Sequence, residues 1–365
     1  MNKELVIKYD PDTVLHPGET LSEKLSEMEI GPKEFAVRTD KPEKTISEIL
    51  SGKSAITPDM AIQFEKVLRI PARFWLKNQA DYDEYIARKK SNENPEKNIL
   101  WANRFPLRQM YEYKWISCYK PVEKSANDLL DFFGMASSDS WKNFYLEENL
   151  KVLFRISLKN SGEPEAISAW LRKGELDSKI IKAPNFDERK LKENLSVLKE
   201  LMYKEPSDLY KQIFEVCIQS GVKFILTESL KNAPISGAVR WINDNPVIQL
   251  SCRYKWNDIF WFTFFHEIGH ILLHGKKDFF LEDVNYRGRE SVKEKEADEF
   301  AIKNTFNSDL ENEFLKAGII SADRILNFSK KNKVNPAIIV GRLQRRGKIK
   351  YSDLNRLRKK LEISK

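Results

Sequence analysis

Histidine and cysteine are scarce in this chain: four histidines and three cysteines among 365 residues. Cys118, Cys217 and Cys252 lie far apart, form no CxxC pair and cannot make an even disulfide set. Three reduced, buried thiols are expected. Long hydrophobic runs are also missing. The longest, from Ile259 to Phe265 across Thr263, falls far short of the roughly 20 residues of a membrane span. The opening stretch MNKELVIKYD has no apolar segment of the signal-peptide kind. A cytoplasmic protein with no membrane partner is therefore expected. The chain has no convincing internal repeat and no low-complexity tract.

What remains is a folded, basic chain. Hydrophobic residues make up 41% and charged residues 32%, in the range of globular proteins. The length suggests two or three domains. The net charge of +8 permits a polyanionic partner without requiring one.

Residues 17–90 read as five short helices. Leu21, Leu25 and Met28 form one apolar stripe, and Ile46, Ile49 and Leu50 another. Gly52 stands where a helix-ending glycine belongs. Thr57-Pro58-Asp59 is a helix start: capping threonine, proline at the first helical position, acid in the first turn. The polar stretch 89–98 is the best linker. Residues 96–215 read as a helical spacer. After Gly221 the pattern turns to short strands at residues 222–226, 235–242 and 247–250, followed by helices. The expected class is mainly α with a small β-sheet (α+β), divided as 1–95, 96–215, 216–315 and a basic helical segment 316–365.

Three of the four histidines fall within nine residues: His266, His270 and His274. On a helix, positions i and i+4 share a face, so His266 and His270 can present two imidazoles to one ion. Glu267 reaches the same cleft and is placed to take a proton from water activated by a metal. The apolar flanks Trp261, Phe262, Phe264, Phe265, Ile271 and Leu272 would bury this helix. Buried imidazoles and a carboxylate need partners, which a metal supplies. A catalytic zinc takes three protein ligands and keeps one position open. His274 lies two turns past His266, so it is expected behind the ligands or as a plain polar residue at the helix end. The third ligand is sought in Glu294-Lys295-Glu296-Ala297-Asp298-Glu299. Glu294 and Asp298 share a helix face and Glu296 points elsewhere. Glu294 would bind, and Asp298 would orient a histidine N–H. A solvated helix face would also carry such an acidic run. Two imidazoles and a carboxylate favour zinc (Zn2+).

Residues 235–305 resemble the ImmA/IrrE family of HExxH metallopeptidases, through Phe262-Thr-Phe-Phe-His-Glu-Ile-Gly-His-Ile-Leu-Leu-His274 and Glu294-Lys-Glu-Ala-Asp-Glu-Phe-Ala301. The second motif of that family is Glu-x-x-Ala-Asn/Asp-x-Phe-Ala. The resemblance makes its first glutamate, here Glu294, the third ligand. It implies a zincin-like arrangement in which a peptide substrate lies along a sheet edge, here residues 235–241. The stretch after Ala301, Ile-Lys-Asn-Thr-Phe-Asn, departs from the apolar run ending in Met-Pro of many members.

The first four helices fit a lambda-repressor-type helix-turn-helix, with residues 42–50 as recognition helix. Lys44, Thr45 and Ser47 would reach bases or phosphates, flanked by Lys41 and Lys53 as phosphate anchors. Periodicity alone also fits a small protein-interaction bundle. Residues 16–88 resemble HigA-type antitoxins of the XRE helix-turn-helix family. The matching pieces are His16-Pro-Gly-Glu19, Ile46-Ser-Glu-Ile-Leu-Ser-Gly-Lys53, Ile56-Thr-Pro-Asp59 and Phe74-Trp-Leu-Lys-Asn-Gln-Ala-Asp-Tyr-Asp83. The resemblance implies a homodimer that binds double-stranded operator DNA and represses transcription, in some members beside a HigB-type toxin.

Residues 341–365 hold ten Lys or Arg and two acids. They form either a solvated basic face or a second nucleic-acid contact. The expected function joins the halves: a DNA-binding regulator whose zinc metalloendopeptidase domain cleaves a regulatory protein or itself. The alternative is a non-proteolytic antitoxin or repressor whose metal is structural or sensory.

Overall fold

The computed structural model describes residues 14–91, 95–148, 163–251, 256–276, 280–281, 289–316 and 318–361. Its contacts divide the chain into two units, Met1–Pro95 and Glu96–Lys365. Mainly helical structure with one small sheet places it in the α+β class.

The first unit holds α1 (Pro17–Glu27), α2 (Pro32–Arg38), α3 (Glu43–Leu50), α4 (Pro58–Leu68) and α5 (Ala72–Ser91). Local chemistry sets these ends. His16 caps α1 through its Nδ1, which accepts from the Gly18 N–H at 2.9 Å. Thr57 caps α4 by accepting from Met60. Gly52, at φ 72°, takes the left-handed turn after α3. Phe35, Ile46, Ile49, Phe64 and Trp75 are buried in this unit's own core.

The second unit opens with short helices: α6 (Pro95–Ala102), α7 (Leu107–Glu112), α8 (Val122–Phe133), α9 (Ser138–Lys142) and a π-helical turn, Asn143–Glu148. Then come α10 (Pro164–Ile180), α11 (Glu188–Lys204) and α12 (Leu209–Gln219). An aromatic-rich core holds α6–α10 together and also takes in Ile235 and Ala238. The strands β1 (Lys223–Thr227), β2 (Gly237–Ile242), β3 (Asn245–Ser251) and β4 (Phe280–Leu281) form one sheet in the order β1-β3-β2-β4. β1 and β3 run parallel, and β2 is antiparallel to both neighbours. Asn243 and Asp244, both at positive φ, make the tight β2–β3 turn.

The sheet corrects one expectation. Residues 235–241 are not a continuous free edge, because Ala238 pairs with Leu281 and Val239 with Phe280. The two-residue β4 takes those backbone groups. Among the described residues, β4 pairs with Ala238 and Val239 alone, leaving Gly237 and the stretch beyond Val239 without a strand on that side.

The remaining elements are α13 (Asn257–His274), α14 (Arg289–Asn304), α15 (Ser308–Lys316), α16 (Ala322–Asn332) and α17 (Pro336–Arg345). α13 is buried almost all round, which its apolar composition requires. The departure after Ala301 is accommodated locally: Thr305 Oγ1 donates to the Ala301 carbonyl, and Phe306 is buried beside Phe328. Much of the basic C-terminal charge is paired internally. Arg342 and Arg346 contact the buried Glu311, and Arg358 grips Asp258 through two nitrogens at 3.0 and 2.9 Å. Cys217 is buried and its thiol pushed up by burial, whereas Cys118 is only half-buried, against expectation. Cys252 lies outside the described residues. No helix among the described residues is long and apolar enough to cross a membrane.

Candidate metal centre

The centre forms where α13 meets α14. Residues on α13 are fixed by the core: Trp261, Phe264, Phe265 and Ile268 are fully buried on the same helix. Gly269 sets the distance to α14. A Cβ at this position would lie 3.2 Å from the Ala297 Cα and 3.2 Å from the Phe300 Cβ, so the two helices approach over a bare glycine. That approach carries Glu294 to the histidines.

Three donor groups converge. His266 Nε2 and His270 Nε2 lie 2.9 Å apart. Glu294 Oε2 is 3.3 Å from His266 Nε2, and Oε1 is 3.4 Å from His270 Nε2. Among the described residues, these three are the group whose ligand atoms can surround one ion. Donors about 2.0–2.1 Å from a tetrahedral zinc stand about 3.3 Å from one another, so the triangle has the right size. Both histidines are buried, while Glu294 is 21% exposed. Burial, followed by the neighbouring His266, His274 and Lys293 charges, pushes His270 down to about 2. It is therefore a neutral imidazole at physiological pH, the form that binds metals.

Each histidine is held from behind. His266 Nδ1 is 3.0 Å from Asp298 Oδ1. His270 Nδ1 is 2.9 Å from His274 Nδ1, and His274 Nε2 is 2.9 Å from Glu296 Oε2. Such contacts fix ring orientation and tautomer. Glu267 is fully buried on the same helix. A Cβ at Gly237 would lie 2.4 Å from Glu267 Oε1, so the carboxylate rests against the start of β2, where a side chain would exclude it.

The geometry thus brings together His266, Glu267, His270, His274, Glu294 and Asp298. Sequence reasoning missed Glu296, since the helical-face argument turned it away from Glu294 and Asp298. It does face elsewhere, and what it meets there is His274. Gly237 was also missed, because only the chain's long-range folding brings it against Glu267.

The nucleic-acid candidates lie in the first unit. Lys44, Ser47 and Lys53 are exposed and Thr45 is half-buried. Lys41 pairs with Asp59 at 2.5 Å, and Lys44 approaches Glu48 at 3.8 Å. Lys41 thereby ties the start of α3 to the first turn of α4.

A family model described as the IrrE N-terminal-like domain, of peptidase type M78, matches residues 219–343. The N-terminal region matches an uncharacterized HTH-type transcriptional regulator, YddM, of Escherichia coli (strain K12). Identity is 36% over 63 residues, which is 17% of this chain and 67% of that protein. Virulence-associated protein A of Dichelobacter nodosus is 38% identical over 69 residues, 18% of this chain and 68% of its own length. The N-terminal region belongs to the HTH-type transcriptional regulators, and residues 219–343 carry an IrrE N-terminal-like domain. A solved addiction-module antidote protein of the HigA family from Coxiella burnetii is 34% identical, with a TM-score of 0.22. That match covers 23% of this chain and 92% of the antidote protein.

Proposed function

We propose that this HigA-type, IrrE-domain chain is a DNA-binding transcriptional regulator whose second unit is a zinc-dependent metalloendopeptidase, cleaving a regulatory protein or itself. The observation that carries the reading is the buried Glu267 carboxylate, one residue from His266 and beside the His266–His270–Glu294 triangle. A structural metal site needs ligands but no base. A carboxylate kept out of water carries a desolvation penalty that a merely structural helix would avoid.

His266, His270 and Glu294 would hold the ion, with Asp298 and His274 fixing the two rings. Bound zinc supplies Lewis-acid polarisation of a peptide carbonyl and makes water acidic enough to be deprotonated near neutral pH. Glu267 takes that proton on a carboxylate oxygen and returns it to the leaving amine. Gly237 leaves the space that Glu267 occupies.

The first unit supplies the address. YddM is named an HTH-type transcriptional regulator, and here α3 presents Lys44, Thr45 and Ser47, with Lys53 just beyond. These side chains would contact operator DNA, with Lys41 held at the flank by Asp59. The chain would bind a two-fold operator as a homodimer, and a HigB-type toxin would be a partner of this same unit.

The test is metal content and proteolysis of the full chain, using autolysis and casein digestion as readouts. About one zinc per chain is expected in wild type and in Glu267→Gln, and little in Glu294→Ala. Cleavage should fall by about 10²–10⁴-fold in Glu267→Gln with zinc retained. A wild-type chain that takes up no zinc would sink the peptidase reading. Full cleavage by Glu267→Gln would remove the base from the mechanism.

A further inference from the structure

Three elements meet behind His266. α13 carries it, α14 brings Asp298 to its Nδ1, and α17 brings Arg345 to Asp298. The Arg345 guanidinium carbon lies 4.7 Å from the centroid of the Phe262 ring. Its Nη2 is 4.0 Å from Asp298 Oδ2. Phe262 sits one turn before His266, with ring centroids 6.3 Å apart and planes inclined by 35°. One guanidinium therefore touches both the carboxylate that holds the imidazole and the ring beside it.

The contact to Asp298 is long, and Arg345 is 59% exposed, so charge attraction alone would be weak. Two features make it directional. The flat, weakly hydrated guanidinium lies over the Phe262 ring, and it suits an aromatic face better than a compact ammonium does. The helix beneath it is anchored: Ile338, Ile339, Val340 and Leu343 of α17 are buried in the core that contains Trp261, Phe265 and Ile268 of α13.

The geometry points to Arg345 as a positioning residue of the metal centre: it holds Asp298 and Phe262, and through them sets the angle at which His266 meets an ion. The inference rests on the metal reading above. It also gives the basic C-terminal segment a role other than nucleic-acid contact. Arg342 and Arg346 engage Glu311, Arg358 engages Asp258, and Arg345 backs the site.

The test measures zinc affinity of the full chain by chelator competition, with the visible spectrum of the cobalt(II)-substituted protein as a second readout. Arg345→Met should weaken zinc binding by about 3- to 10-fold, below the 10–100-fold typical when a group touching the ligand is lost. It should also shift the cobalt bands. Arg345→Lys should recover part of the loss, keeping the charge without the flat guanidinium over Phe262. In an Asp298→Asn background, Arg345→Met should cost clearly less than in wild type, because the two act through one imidazole. The thermal midpoint of the zinc-free protein should match wild type within about a degree, separating positioning from a general loss of fold. Wild-type zinc affinity and an unshifted cobalt spectrum in Arg345→Met would overturn the inference. So would an undiminished cost in the Asp298→Asn background. A wild-type chain that binds neither zinc nor cobalt would instead overturn the metal reading itself, taking this inference with it.

Discussion

At the scale of single residues, His16 is a clear pH-dependent element. Its Nδ1 accepts the Gly18 N–H at 2.9 Å, and the ring packs edge-on against Tyr82. Burial lowers its pKa below the usual 6.5, with Asp83 and Glu19 acting in the opposite direction. The folded state thus disfavours the protonated ring, while the unfolded chain accepts a proton below about 6.5. The stabilising contribution is complete above that value and is lost as pH falls from 6.5 towards the lower folded pKa. Amide exchange over α1, corrected for intrinsic rates, should show weaker protection at pH 5.5 than at 7.5. His16→Asn should keep the cap and remove this dependence, and His16→Ala should cost about 1 kcal/mol at neutral pH. Equal pH dependence in wild type and His16→Asn would place the effect elsewhere. The same residue scale shows what a sequence can disclose about the metal centre. His266, Glu267 and His270 stand out because helical geometry alone puts them on neighbouring positions. Glu296 and Arg345 do not, because their partners lie 22 and 47 or more residues away and depend on how α14 and α17 cross α13.

At the scale of elements, the decisive contact is that of α13 with α14 over Gly269. The glycine in His-Glu-Ile-Gly-His looks like a weak point in a helix, since it costs about 1 kcal/mol relative to alanine by propensity. The structure gives it a use: a Cβ there would crowd the Ala297 backbone and the Phe300 side chain at 3.2 Å. Gly269→Ala should therefore improve intrinsic helicity yet push α14 outward by a few tenths of an ångström. Glu294 would move away from the two Nε2 atoms. Zinc affinity should fall by about tenfold or more, as small shifts of a ligand do in metal sites, while far-UV circular dichroism stays unchanged. Unaltered zinc affinity would show that α14 adjusts without moving its glutamate. Helix ends were legible where a residue type forces them, as at Thr57-Pro58 and Gly52. The pairing of β4 with β2 was not. Phe280–Leu281 is too short to show an alternating pattern, and its role comes from being held against Ala238 and Val239. The expected free edge at residues 235–241 failed for that reason.

At the scale of the whole molecule, the first unit has its own buried core around Phe35, Phe64 and Trp75, while the second holds its sheet, α13 and the C-terminal helices in another. The overall class was readable from periodicity, because helical stripes dominate and only a short stretch after Gly221 alternates as strands do. Separate cores lead to a specific expectation about coupling. Zinc stabilises only the unit that binds it, by about 2.7 kcal/mol when free zinc is 100 times its Kd. Calorimetry of the full chain should resolve two transitions, with chelation lowering one midpoint by several degrees and leaving the other in place. The Lys44→Ala, Thr45→Ala double substitution should show the converse. It should weaken operator binding, and reduce the salt dependence by about one unit of slope for the lost phosphate contact, with zinc content unchanged. If chelation instead moves both transitions and changes operator affinity, metal occupancy and DNA binding are linked through the chain, and reciprocity then requires operator DNA to change zinc affinity by the same factor. Titrating zinc with and without operator DNA decides between the two: identical zinc affinities mean that the two units work independently, and any difference measures their coupling directly.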